Sequence, residues 1–156
     1  MINNDILRSI RFMLDLSDAK VVEITQLADA DFAFEKSAVS AYLKKDEEPG
    51  YLECPTPVLA HFLDGLVLYF RGRDPMQVPR PVEKRITNNL VLKKLRVAFE
   101  LKDIDMHQIF ADVDFRISKP ELSAFFRQSD HKNFRLCGDQ ALRMFLKGLT
   151  LRVRPG

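Results

Sequence analysis

The chain has 156 residues, of which 46% are hydrophobic and 29% charged, and a net charge of +2. That is enough apolar material for a real core in one or two small domains. No apolar run approaches the roughly 18 residues of a membrane span, and MINNDILRSIRF carries charge where a signal peptide needs its apolar stretch.

The elements read as helices. An Asn cap at Asn4 opens a first helix whose apolar face is Ile6, Ile10, Met13 and Leu14, at helical spacing. A second helix is expected over 20–28 and a third over 36–45. A fourth begins at Thr56-Pro57, a cap followed by a proline, with the face Leu59, Phe62, Leu63, Leu66 running on to Phe70. Residues 71–85, RGRDPMQVPRPVEKR, hold Pro75, Pro79 and Pro81, which forbid a regular helix or central strand. This stretch reads as a semi-rigid extended linker.

Beyond the linker the pattern starts again. Asn3, Asn4, Leu7, Arg11, Leu16, Asp18 and Ile24 recur 85 positions later, as Asn88, Asn89, Leu92, Arg96, Leu101, Asp103 and Ile109. After a two-residue deletion, Asp31, Phe32, Lys36, Ser40, Ala41 and Cys54 recur as Asp114, Phe115, Lys119, Ser123, Ala124 and Cys137. The run Leu59 to Arg71 recurs as Leu142 to Arg154, including Gly65 as Gly148, which brings the total to 20 identities over about 69 positions. Such self-similarity marks a duplicated unit. The second copy repeats the first-helix face with Val91, Leu95, Ala98 and Phe99 and predicts helices over 105–111, 119–128 and from Asp139-Gln140.

The expected fold is therefore all-α: two tandem repeats of about four helices each, over 1–71 and 86–156, joined by a Pro-rich linker over 72–85. A unit of this size has a small core, so the copies are expected to pack together as one pseudo-symmetric body. A mid-helix glycine costs about 1 kcal/mol against alanine; Gly65 and Gly148 are explained if another helix approaches closely there.

FAFEKSAVSAYL (32–43) and FRISKPELSAFF (115–126) resemble the turn and second helix of a helix-turn-helix. Phe32, Phe34, Val39 and Tyr42, with Phe115, Ile117, Leu122 and Phe125, would fill its buried positions. Lys36, Ser40, Lys44, Lys119, Ser123 and Arg127 would face outward. Against DNA stand Asp29 and Asp112, where the first helix normally needs alanine, and the acidic flanks Asp31, Glu35 and Asp46–Glu48, which repel phosphate. Charge is uneven: residues 1–72 carry 7 basic and 12 acidic side chains, residues 73–156 carry 17 and 10. Such asymmetry hints at a partner, nucleic acid on the basic half or an acidic half docked on a basic one; the alternative is that the diverged copies drifted in charge, with solvated faces on both.

The chemical inventory is sparse. The six glycines make no phosphate loop, and His61, His107 and His131 have no ligand spacing. His61 reads as a structural histidine beside the apolar face of the fourth helix. Cys54 and Cys137 lie before the fourth helices as small buried anchors; two cysteines are too few for a disulfide framework and fit a reducing compartment.

An Asn-led helix, KSAVSA (36–41), YLEC (51–54), FLDGL (62–66) and Arg71, repeated as Asn89, KPELSA (119–124), FRLC (134–137), FLKGL (145–149) and Arg154, resembles the YehS-like bacterial proteins of unknown function. The resemblance covers nearly the whole chain. It implies a duplicated helical domain of the bacterial cytosol, with no assigned activity, cofactor or catalytic residue.

The expectation is a cytoplasmic, non-catalytic module with no cofactor, metal, membrane or small-molecule substrate, acting through a protein partner or self-association. The alternative is a nucleic-acid binder that uses segments 24–45 and 109–128. The candidate contact residues are Lys36, Ser40, Lys44, Lys93, Lys94, Arg96, Lys119, Ser123 and Arg127.

Overall fold

The computed structural model describes residues 1–76 and 80–154. Among them are eight α-helices and one 3-10 turn, with no strand. The chain divides into two compact units, Met1–Ile86 and Thr87–Gly156. Pro79 of the linker lies outside the described residues.

The first unit contains α1 (Asn3–Leu14), α2 (Asp18–Thr25), a 3-10 turn (Lys36–Ala38) running into α3 (Val39–Tyr42), and α4 (Thr56–Arg71). On α1, Ile6, Leu7, Ile10 and Met13 are buried while Leu14 is only half-buried, so the apolar stripe is rotated toward Leu7 relative to the face read from spacing. Asp15 ends α1 in the left-handed conformation at φ 53°. Ser17 then caps α2, its hydroxyl accepting from the Lys20 amide at 3.1 Å. The core is completed by Val21, Ile24, Val39, Tyr42, Leu59, Phe62, Leu63 and Leu66. Full burial of each large side chain contributes about 1.5–3 kcal/mol. Phe70, expected on the same face, is exposed.

The second unit contains α5 (Asn88–Ala98), α6 (Asp103–Ala111), α7 (Lys119–Ala124) and α8 (Asp139–Val153). Thr87 caps α5 and Ser118 caps α7, each hydroxyl accepting a backbone N–H at 3.1 Å. Val91, Leu92, Leu95, Met106, Ile109, Phe110, Leu122, Phe125, Leu142, Phe145 and Leu149 form its core. Phe99, like Leu14, is half-buried.

Two repeated residues shape both units. Asn4 and Asn89 are not caps: α1 and α5 begin two residues earlier than such caps would place them, with Ile2 and Thr87 at the cap positions. Each Asn is a buried tie. Asn4 Nδ2 donates to the carbonyls of Tyr42 (3.1 Å) and Leu52 (2.8 Å), and its Oδ1 accepts from the Cys54 amide (2.9 Å). Asn89 does the same with Phe125 (2.9 Å), Arg135 (2.8 Å) and Cys137 (2.9 Å). One side chain thus satisfies three backbone groups that have no helical partner. The glycines do mark a close approach: a Cβ on Gly65 would lie 1.8 Å from the Ile24 carbonyl oxygen, and one on Gly148 2.3 Å from that of Ile109. These contacts seat α2 on α4 and α6 on α8.

Candidate interaction face

The third helices are shorter than their sequence suggested. Only residues 36–42 and 119–124 wind, in place of 36–45 and 119–128. The apolar pairs Val39/Tyr42 and Leu122/Phe125 anchor a single turn each, and after Tyr42 the chain closes a loop. In that loop Lys44 Nζ donates to the Pro49 carbonyl at 2.9 Å and the Lys45 amide to Glu48 Oε1 at 3.1 Å. Residues 26–35 and 112–118 connect the second helices to the third. A DNA-reading helix-turn-helix makes that connection in about three or four residues.

Phe32, Phe34, Phe115 and Ile117 are half-buried rather than core. Phe32 stacks on His61, with ring centroids 3.5 Å apart and planes 3° apart, and on Phe34 at 5.3 Å. His61 Nδ1 also meets the Pro57 carbonyl oxygen at 2.7 Å, so this histidine is structurally engaged. Phe115 instead turns onto Phe110, 5.4 Å away; the first copy has Thr25 where Phe110 stands.

The candidate contact residues divide into two groups. Arg96 is held inside its own unit, 2.7 Å from Asp103, with its guanidinium 4.7 Å from the centre of the Phe126 ring. Arg11 and Asp18 pair equivalently at 3.6 Å. Arg96 is therefore a packing residue, and the repetition of both partners was the signal for it. Lys94 is half-buried and has a partner, and Lys44 is tied to its loop. By contrast Lys36, Ser40, Lys119 and Ser123 are exposed, as are Lys93 and Arg127. Lys36 and Ser40 stand on the outer side of the turn that buries Val39, and Lys119 and Ser123 on the outer side of α7.

Most of the 20 identities are explained by packing: core side chains, the Asn ties, the glycines and the Arg–Asp pairs. Lys36/Lys119 and Ser40/Ser123 are different. They are identical between the copies, exposed, and without a side-chain partner among the described residues. Asp31/Asp114, also exposed, flank them.

The cysteines lie beside the Asn ties, buried. Burial pushes the Cys54 thiol up to about 12 and the Cys137 thiol up to about 11. Neither is a ready thiolate nucleophile at neutral pH. Among the described residues no group of three or more His, Cys, Asp or Glu is placed to hold a metal, and no helix is long and apolar enough to cross a membrane.

One feature was not legible in the sequence. A surface groove of about 750 Å³ runs between α6 and the 114–118 turn of the second unit, with His107 and Arg116 in its lining.

Two copies of one helical unit, each tied by an Asn and seated by a Gly, define a tandem-duplicated all-α protein. The chain belongs to the family described as Protein of unknown function (DUF1456), whose model matches residues 3–72 and again 88–155. It is similar to Uncharacterized protein YehS of Escherichia coli (strain K12), with 47% identity over 152 residues, covering 97% of this chain and 96% of that protein. No solved structure matches it.

Proposed function

We propose that this chain is a non-catalytic interaction module that docks on a protein through the repeated outer faces of the 36–42 turn and α7. The observation that carries this reading is the identity of Lys36 with Lys119 and of Ser40 with Ser123 at exposed sites that internal packing leaves unused. Residues that diverging copies retain without a packing reason serve a contact outside the chain.

A protein suits this face better than nucleic acid does. Each lysine has a carboxylate close by in sequence, Asp31 and Glu35 before Lys36 and Asp114 before Lys119. Mixed signs match a protein surface, whereas phosphate backbones need neutralising cations. The long connections and the six-residue α7 also depart from a groove-reading helix.

The test is site-specific photo-crosslinking from Ser40 and Ser123 in cells, with and without Lys36→Glu and Lys119→Glu. A discrete protein adduct that disappears in the charge-reversed chain, while its melting temperature is unchanged, supports the reading. Fluorescence anisotropy with random duplex DNA at about 50 and 200 mM salt gives the opposing arm. Binding that falls by orders of magnitude between those salts, and is lost in Arg127→Glu, would replace a protein partner by nucleic acid.

A further inference from the structure

The geometry points to a second site, in the groove of the second unit, for a zwitterionic ligand with an apolar body: a free amino acid or the charged end of a short peptide. The groove measures about 750 Å³, within the range of about 300–1,000 Å³ of small-molecule sites. His107 of α6 contributes to its lining, half-buried, with its ring Nε2 closed off from the surface.

The rest of the lining supplies both signs and an apolar wall. Arg116 is exposed and has no partner among the described residues, leaving its guanidinium fork open to a carboxylate. Asp114 and Glu121 bring two carboxylates, and Glu121 is already 3.5 Å from Arg135. Asp114 is thus the free acceptor for an ammonium group. A simple anion would meet Arg116 but also face Asp114; a simple cation would meet the converse. A ligand carrying both charges satisfies both. Phe115 and Ile117, half-buried, give the apolar surface.

This groove belongs to the second copy. The first copy has Val22, Ala33 and Ala38 where His107, Arg116 and Glu121 stand, and its Phe32 stacks on His61 instead of turning inward. Asp114 recurs as Asp31 and also flanks the repeated face proposed above, but the cation at Arg116 belongs to the second copy alone, so the pairing of both signs is particular to this groove.

The experiment is amide NMR of the isotope-labelled full chain, titrated with L-leucine, with isocaproate (no amine), with isoamylamine (no carboxylate) and with the dipeptide Leu-Leu. Leucine or the dipeptide should shift the amides of 107–121 saturably, and each one-charged analogue should bind at least about tenfold more weakly. The tighter of the two zwitterions distinguishes a free amino acid from a peptide end. Arg116→Glu should abolish the shifts. Ala33→Glu at the matching place in the first unit should change nothing. No saturable shift with either zwitterion, equal binding by the analogues, or undiminished binding by Arg116→Glu would overturn the assignment.

Discussion

Asp105 of α6 and Arg152 of α8 pair at 2.6 Å, at the same two positions where the first copy sets Lys20 of α2 over the ring of Tyr69 of α4 at 5.6 Å. The contact between the helices is retained while its chemistry is exchanged, cation on ring for carboxylate on cation. Both residues have changed together. Exposed pairs add little stability, so the pairing is better understood as avoiding a mismatch than as a large gain. Asp105→Lys alone would set two cations face to face and should lower the melting temperature. Adding Arg152→Tyr rebuilds the pair of the first copy and should recover part of the loss. Calorimetry on the two variants checks this, and a double variant no better than the single would refute the exchange.

The same carboxylate gives a pH dependence. The Lys102 amide, 2.8 Å away, is the main group holding the Asp105 carboxyl below its ordinary value of 3.8, with Arg152 adding to it. A group with a lowered folded-state pKa stabilises fully above its unfolded value and loses that contribution as pH falls through the folded one. Asp105→Asn should therefore be less stable than the parent at neutral pH, and the gap should close as pH drops below 3.8. Urea midpoints measured along that acid range decide it.

The Asn ties predict a larger effect. Asn4→Ala leaves the Tyr42 and Leu52 carbonyls and the Cys54 amide without their partner. Each buried orphan costs about 1–3 kcal/mol, and the Leu52 side is part-buried, so the expected loss is about 2–5 kcal/mol. Asn89→Asp is a sharper probe. Its carboxylate still accepts from the Cys137 amide but faces the Phe125 and Arg135 carbonyls with no proton to donate. It should be destabilised at neutral pH and partly rescued in acid, where a protonated carboxyl donates once. Denaturant unfolding at two pH values distinguishes this from simple loss of packing.

Gly65→Ala and Gly148→Ala set two opposing effects against each other. Helix propensity alone would favour alanine by about 1 kcal/mol. The added methyl group, however, would lie 1.8 Å or 2.3 Å from a backbone carbonyl oxygen, which cannot swing aside as a side-chain tip can. Overpacking of this kind costs about 1–3 kcal/mol or more. The expected net is destabilisation in both variants, greater at Gly65. A gain in stability in chemical denaturation would show that α2 and α4 separate freely.

What was legible follows from which interactions repeat locally. Periodic apolar residues and the copy-to-copy identities revealed the helices, and glycine at Gly65 and Gly148 revealed the close approach. Asn4 was misread because an Asn before an apolar helical run looks the same whether it caps its own helix or reaches to residues 42, 52 and 54. Only the tertiary path decides. The third helix of the first unit reads longer in sequence because Lys44 and Lys45 continue a helical pattern, but both are drawn into a loop by Pro49 and Glu48. Among the candidate contact residues, Arg96 looked like a free cation although its partner Asp103 recurs with it. The groove beside α6 was invisible, since its lining comes from α6, the 114–118 turn and α7, which only the tertiary path brings together.

The thiols give a last test that separates burial from exposure. Cys54 and Cys137 each sit directly before a long helix, with an amide bonded to the adjacent Asn tie. Burial raises both thiols, Cys54 to about 12 and Cys137 to about 11, so at pH near 8 almost none of either is thiolate. Reaction with Ellman's reagent must then wait for local or global opening. In the native chain both should react far more slowly than in urea, and Cys54 more slowly than Cys137. Asn89→Asp, by loosening the segment around residue 137, should accelerate Cys137 selectively, and Asn4→Ala should do so for Cys54. Rapid reaction of both thiols in the native chain would mean that these segments are open, and the Asn ties would then lose their role as the fastening of each unit.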